Sequence, residues 1–334
     1  MTHAVHAANA RPAAETVFCN ARIVLAGEVV RGSLRIADDV IADIDTGARA
    51  LPGAVDCEGQ LLAPGLVELH TDNLERHLMP RPGVRWPGPA AVVAHDGELA
   101  SAGITTVFDA VRVGSLRGHE GKDYARYARG VVDDIKALVE AGLLRASHRI
   151  HLRAEVCSET VLEELAEFGA EDLVAIVSIM DHTPGQRQFS DIAKFRQYHQ
   201  GKYGLSDPEM DAHIAFTRGL HAEHGAGHEE GIVAHAGRLG AKLASHDDMT
   251  EAHVARSAAL GVDFAEFPTS LEAARANRRA GILSMMGAPN VLRGGSHSGN
   301  VAAMALAEEG LLDILSSDYV PSALLMGADR KSVV

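Results

Sequence analysis

Residues 63 to 83 read APGLVELHTDNLERHLMPRPG. A Pro-Gly turn leads into a short apolar run at Leu66 and Val67, and a dense set of polar side chains follows: Glu68, His70, Asp72, Asn73, Glu75, Arg76, His77 and Arg81. An apolar run that stops in His-x-Asp has the form of a buried strand delivering side chains to a site at its C-terminal end. Residues two apart on a strand point the same way, so His70 and Asp72 can face one metal ion. On this stretch alone a second reading stays open, a strand end running into a solvated loop.

Working outward, strands and helices alternate. An Ala-rich helix is expected from Pro89 to Ala102, a strand at 104–109 (ITTVFD) and an amphipathic helix over 124–142, with Val131, Ile135, Leu138 and Val139 at helical spacing. RIHLRAE (149–155) alternates as a strand ending in Glu155, and LVAIVSIM (173–180) reads as the most strongly buried strand, ending in Asp181-His182. A long polar and helical insert spans 184–239. KLASHDD ends a strand in Ser245-His246. The segments 262–267, 282–286 and 311–318 complete the set, with helices around 269–280 and 299–309 between them. About eight strand-then-helix units over roughly 250 residues predict a parallel sheet closed as a (β/α)8 TIM-like barrel. The rival is a doubly wound open sheet, but neither GxGxxG nor GxxxxGK[ST] is present to support a dinucleotide or P-loop site.

The polar residues that interrupt apolar runs fall at strand C-termini: His70, Asp72, Glu155, His182, His246 and Asp318. In a parallel barrel these ends open on one face, where active sites lie. Imidazole and carboxylate ligands of this kind suit two divalent ions about 3.5–4 Å apart, which activate water near neutral pH. In that reading Glu155 bridges the ions, and Asp318 binds one and takes the proton of the attacking water. His221, His224 and His228 in HAEHGAGHEE read as a solvated helix end, and His199, His213 and His253 as helix-surface residues. A second cluster, APNVLRGGSHSGN (288–300), offers backbone N–H groups at Gly294-Gly295 and donors on Arg293, Ser296, His297, Ser298 and Asn300, which suits a phosphate. Arg187 and Arg81 follow two other strands and are read as further phosphate ligands. The bland reading of these loops is a flexible connection.

Upstream, residues 1–15 read as a frayed tail and 16–60 as a small β module of short strands separated by turn residues, leaving 61–334 to the barrel. Of the 334 residues, 46% are hydrophobic and 23% charged, a globular composition, and the net charge of −14 argues against a general nucleic-acid binder. Cys19, Cys57 and Cys157 have no CxxC spacing, so reduced thiols and a cytoplasmic location are expected. No uninterrupted apolar run suggests a membrane span.

The Pro-Gly turn, strand and His-x-Asp resemble the first-strand signature of the amidohydrolase superfamily, whose usual form is His-x-His. The departure to HTDN, together with RAEV (153–156), DHTPGQRQF (181–189), ASHDD (244–248), VDFAEFPT (262–269), APNVLRGGSHSGN and LSSDYVPS (315–322), closely resembles one diphosphatase family within it. That family acts on α-D-ribose 1-methylphosphonate 5-triphosphate in the bacterial carbon–phosphorus lyase pathway of phosphonate degradation. The resemblance spans residues 16–325. It implies a metal-dependent hydrolase of phosphoric anhydride bonds that leaves the 5-phosphate and pyrophosphate. The implied metal ligands are His70, Asp72, Glu155, His182, His246 and Asp318, holding zinc or manganese. The implied partner is a phosphorylated ribose, with no nucleic acid or membrane and with room for a homodimer. The superfamily often bridges its ions with a carboxylated lysine; none lies at 173–180, which leaves the bridge to Glu155. Alternative readings are an amidohydrolase acting on a cyclic amide or amine, and a non-catalytic metal- or polyphosphate-binding remnant. The family pattern runs on past the final strand Asp, whereas this chain stops at ADRKSVV, so the last barrel helix is expected to be missing and the chain to be less stable than an extended one.

Overall fold

The computed structural model describes residues 15–47, 52–81, 83–116, 126–296 and 298–331. The N-terminal tail and His297 lie outside them. The chain divides into two compact units, Met1–Gly65 and Leu66–Val334.

The first unit is a five-stranded sheet. Strands β1 (Thr16–Val24), β2 (Val29–Ala37) and β3 (Val40–Thr46) form an antiparallel meander, and β4 (Val55–Asp56) and β5 (Leu61–Leu62) add parallel to β1. Asp38 and Asp39 form the two-residue turn between β2 and β3, both at positive φ, 52° and 62°. Such a turn matches the twist of the strands it joins, and Asp tolerates the left-handed region better than most residues. Ala21, Ile23 and Leu34 are the buried centre of this sheet. Because Leu61 and Leu62 pair with β1, they belong to this module and do not open the barrel, which begins at Leu66.

The second unit follows as β6 (Leu66–Thr71), α1 (Asn73–Leu78), α2 (Gly88–Ser101), β7 (Ile104–Val113), α3 (Ala128–Glu140), β8 (Ser147–Glu155), α4 (Val161–Leu165) and β9 (Val174–Met180). It continues with α5 (Ile192–Tyr203), α6 (Asp207–Leu239), β10 (Lys242–His246), α7 (Glu251–Ala259), β11 (Phe264–Glu266), α8 (Leu271–Ala280) and β12 (Leu283–Gly287). It ends with α9 (Ala288–Arg293), α10 (Ala303–Glu308), β13 (Ile314–Ser316) and α11 (Ala323–Lys331). The eight strands β6 to β13 lie in sequence order, every pair parallel. They form the (β/α)8-type barrel that the alternating pattern predicts.

Side chains and backbone close the seam between the first and last strands. Thr71 bridges Asp318, the Thr71 hydroxyl donates to the Asp318 carbonyl at 2.8 Å, and Glu68 accepts the Ser317 N–H at 2.6 Å. The buried Glu68 carboxylate therefore takes up a backbone N–H at the closing seam, and burial pushes its pKa up to about 7.

Strand alternation divides the inside of the barrel from the outside. On β8, Ile150, Leu152 and Ala154 pack with Val131, Val132, Ile135 and Leu138 of α3 in the main apolar cluster, while His151, Arg153 and Glu155 share the opposite face. Burying an aliphatic side chain of this kind contributes about 1.5–3 kcal/mol, so the layer between strands and helices holds the frame on which the inner face depends.

Two expectations are corrected. The helix after the last strand is present as α11, packed against α9 and β13. HAEHGAGHEE is no solvated helix end: it lies inside α6, a 33-residue helix begun by a Ser206/Glu209 capping box and ended by Gly240 in the left-handed conformation. Within it His221 meets Asp181 Oδ2 at 3.2 Å, and His228 Nδ1 donates to the Val156 carbonyl at 2.8 Å.

Candidate active site

A cavity of about 820 Å³ opens at the C-terminal ends of the barrel strands, and His70, Asp72, Glu155, His182, His246 and Asp318 all line it. They come from β6, β8, β9, β10 and β13 or the residues just after them. The convergence follows from topology, since parallel strands end together and a polar residue terminating each apolar run is carried to the same rim.

Each imidazole has one nitrogen fixed. His70 Nδ1 donates to Glu266 Oε1 at 3.0 Å, His182 Nδ1 to Glu155 Oε2 at 2.7 Å and His246 Nδ1 to Asp247 Oδ2 at 2.7 Å. The rings of His70 and His246 are 5.7 Å apart, and those of His182 and His246 are 5.9 Å apart. His182, His246 and Asp247 offer ligand atoms all within 4.8 Å of one another, as do His70, His151 and Glu266 deeper in the barrel. Both sets could hold a metal ion.

The Asp318 backbone adopts φ 56°, held by its N–H on the His70 carbonyl and its own carbonyl accepting from Asp72 N–H, each at 3.2 Å. Burial raises the carboxyl of Asp318, and the charge of Asp72 raises it further; burial likewise lifts Asp72 above the usual carboxylate range. Burial opposes a charge on His246, yet Asp247 beside it raises its pKa, whereas burial holds His70 well below the ordinary imidazole value.

The anion-binding candidates divide. Arg293, Ser296 and Ser298 line the cavity with Asn300. Arg81 is exposed and bridged to Val84, and Arg85 lines the wall instead. Arg187 is buried and turned away from the cavity, bonded to Asp248 Oδ1 at 2.5 Å and to the His246 carbonyl at 3.0 Å. It braces the strand end that carries His246. His297 lies outside the described residues.

His199 and His213 are not surface residues. With Phe195 they form an aromatic group on the cavity wall supplied by the insert, with Phe195 and His199 4.0 Å apart. Asp247, Glu266, His151 and Arg153 also belong to the site, though none of them is singled out by the strand-end pattern. Strand parity carried a signal for the last two, because both share a face with Glu155.

The chain is 47% identical, over 314 residues, to the alpha-D-ribose 1-methylphosphonate 5-triphosphate diphosphatase of Escherichia coli strain K12, covering 94% of this chain and 82% of that protein. The chain belongs to this diphosphatase family. Among solved structures, an uncharacterized protein aligns with a TM-score of 0.59 at 15% identity, over 96% of this chain and 83% of that one. The ochratoxinase of A. niger aligns at 0.51 and 13% identity, over 96% and 79%. These two share the fold. No family model matches the chain. Among the described residues no helix is long and apolar enough to cross a membrane.

Proposed function

We propose that this chain hydrolyses the 5-triphosphate of α-D-ribose 1-methylphosphonate 5-triphosphate to the 5-phosphate and pyrophosphate, using two divalent ions, zinc or manganese. The observation that carries the reading is one cavity lined both by six imidazole and carboxylate side chains from the strand ends and by Arg293, Ser296 and Ser298. The 47% identity to a relative of that name supports the substrate.

The donor set fits the metal. Two carboxyls, Asp72 and Asp318, are raised by burial and by neighbouring negative charge, as expected of anions gathered around a place for a cation. His70, Asp72, Glu155, His182, His246 and Asp318 would hold the ions. When bound, such ions supply charge to the phosphoryl oxygens and lower the pKa of coordinated water.

The chain's own groups do the rest. The locked backbone of Asp318 aims its carboxylate to accept the proton of the water that attacks the α-phosphorus. Glu155, which would help hold the ions, is fixed by His182 Nδ1 and by the N–H groups of Cys157 and His182, at 3.2 and 3.1 Å. Asp247 and Glu266 orient His246 and His70. Arg293 and the hydroxyls of Ser296 and Ser298 receive the leaving pyrophosphate.

Phosphorus NMR of the products tests the reading. Equal yields of pyrophosphate and the 5-phosphate are expected; orthophosphate as the first product would refute attack at the α-phosphorus.

A further inference from the structure

We infer that Arg153, with Arg112 beside it, forms a second anion subsite across the cavity from the Arg293 loop, and that this subsite selects substrates carrying a phosphonate or phosphate at the far side of the sugar. The inference rests on the proposed hydrolysis and deepens it.

The strand order supplies the geometry. In an eight-stranded closed barrel, β8 and β12 are four strands apart in either direction. Arg153 on β8 and the 293–298 loop after β12 therefore occupy opposite walls, with the ligand cluster between them. Arg153 is a cation on the inner wall of a chain whose net charge is −14.

Carboxylates hold the guanidinium from one side and leave its Nε edge without a partner. One amino group donates to Glu75 Oε1 at 2.7 Å, the other lies 3.7 Å from Asp72 Oδ2, and Nε is buried with no partner. Tyr127 donates to the same Glu75 oxygen at 2.7 Å, which fixes the carboxylate that fixes Arg153. The Arg112 guanidinium lies 5.9 Å from the Tyr127 ring centroid and lines the same wall. A planar fork held from behind suits a tetrahedral oxyanion.

Ribose carries C1 and C5 at opposite ends of its ring system. A triphosphate tail on the Arg293 side therefore directs the C1 substituent toward Arg153. An anion there would add a charge-assisted partner to the guanidinium edge that carries Nε, which a neutral hydroxyl supplies more weakly.

The test compares kcat/KM for α-D-ribose 1-methylphosphonate 5-triphosphate and for ribose 5-triphosphate, in the metal-loaded enzyme. Wild type should prefer the first by about tenfold to a hundredfold. Arg153→Met should abolish the preference, with the larger loss of kcat/KM falling on α-D-ribose 1-methylphosphonate 5-triphosphate. Arg293→Met should reduce both substrates alike. In thermal unfolding, methylphosphonate should stabilise wild type but not Arg153→Met, while pyrophosphate stabilises both.

Equal losses for the two substrates in Arg153→Met, or no preference in wild type, would overturn the subsite while leaving the hydrolysis intact. Failure of wild type to turn over either triphosphate would overturn both. Should Arg153→Met not fold, Arg153→Lys keeps the charge without the fork; loss of the preference supports the inference and an undiminished preference overturns it.

Discussion

His70 Nδ1 lies 3.0 Å from Glu266 Oε1, although 196 residues separate them. Both side chains are buried, at 1% and 0% exposure. The bond fixes the ring and leaves Nε2 as the nitrogen available to a ligand role, and a carboxylate in this position also makes the imidazole a stronger donor. Glu266→Gln should therefore weaken metal retention by about tenfold to a hundredfold while the barrel stays folded. Metal content after dialysis against graded chelator, with circular dichroism as the folding control, checks this. Retention equal to wild type would mean that His70 does not serve as a ligand.

Arg187 and Arg293 are expected to differ in kind. Arg187→Met removes one partner of a buried pair and leaves Asp248, among the described residues, to the Ser245 and Ser257 hydroxyls, at 2.7 and 2.9 Å. A stability loss of about 3 kcal/mol is expected in denaturant unfolding, with KM nearly unchanged. Arg293→Met should show the reverse, a KM raised about tenfold or more with little loss of stability. A raised KM with unchanged stability in Arg187→Met would return that residue to phosphate binding.

Outside the barrel wall, Asp109 of β7 is clasped by two buried imidazoles, His148 Nδ1 at 2.7 Å and His95 Nε2 at 2.9 Å. Burial opposes the Asp109 charge, but His148 and His95 together depress its pKa below the ordinary 3.8. Burial opposes the His148 charge as well, and Asp109 nevertheless raises its pKa above the ordinary 6.5. The Asp109 contribution is present above 3.8 and fades as pH falls through its folded pKa. The His148 contribution is complete below 6.5 and fades as pH rises through its folded pKa. The stability gap between wild type and Asp109→Asn should thus be widest, about 3 kcal/mol, between those two values and narrow on both sides. Denaturant unfolding from pH 3 to 9 measures it, and a gap that keeps widening above pH 7 would contradict the assignment.

Gly114 sits at φ 101°, and a Cβ there would come within 2.9 Å of the Glu155 carbonyl and 3.0 Å of the Glu155 Cβ. Gly114→Ala should cost more than about 1 kcal/mol through backbone strain and lower kcat by displacing Glu155. Wild-type kcat in a destabilised variant would show that Glu155 tolerates the shift.

The barrel was legible because its signal is repetitive: parallel strands read as apolar runs, and each ends in a polar residue. The six strand-end imidazole and carboxylate residues share that signal, and all six reach one cavity. A loop position says nothing about which way a long side chain turns, so Arg187 pairs with the buried Asp248 and neither it nor Arg81 lines the cavity. His199 and His213 were misjudged because α5 and α6 pack across the cavity, an arrangement of the insert that local periodicity does not encode. Glu266 was passed over because its role depends on a partner 196 residues away.

Metal-dependent pyrophosphate release by the chelated and reloaded protein bears most directly on the central claim. With α-D-ribose 1-methylphosphonate 5-triphosphate as substrate, activity should vanish on chelation, return with zinc or manganese, and stay at least about a thousandfold lower in Asp318→Asn and His246→Asn after reloading. Full activity in both variants, or turnover untouched by chelation, would contradict the account.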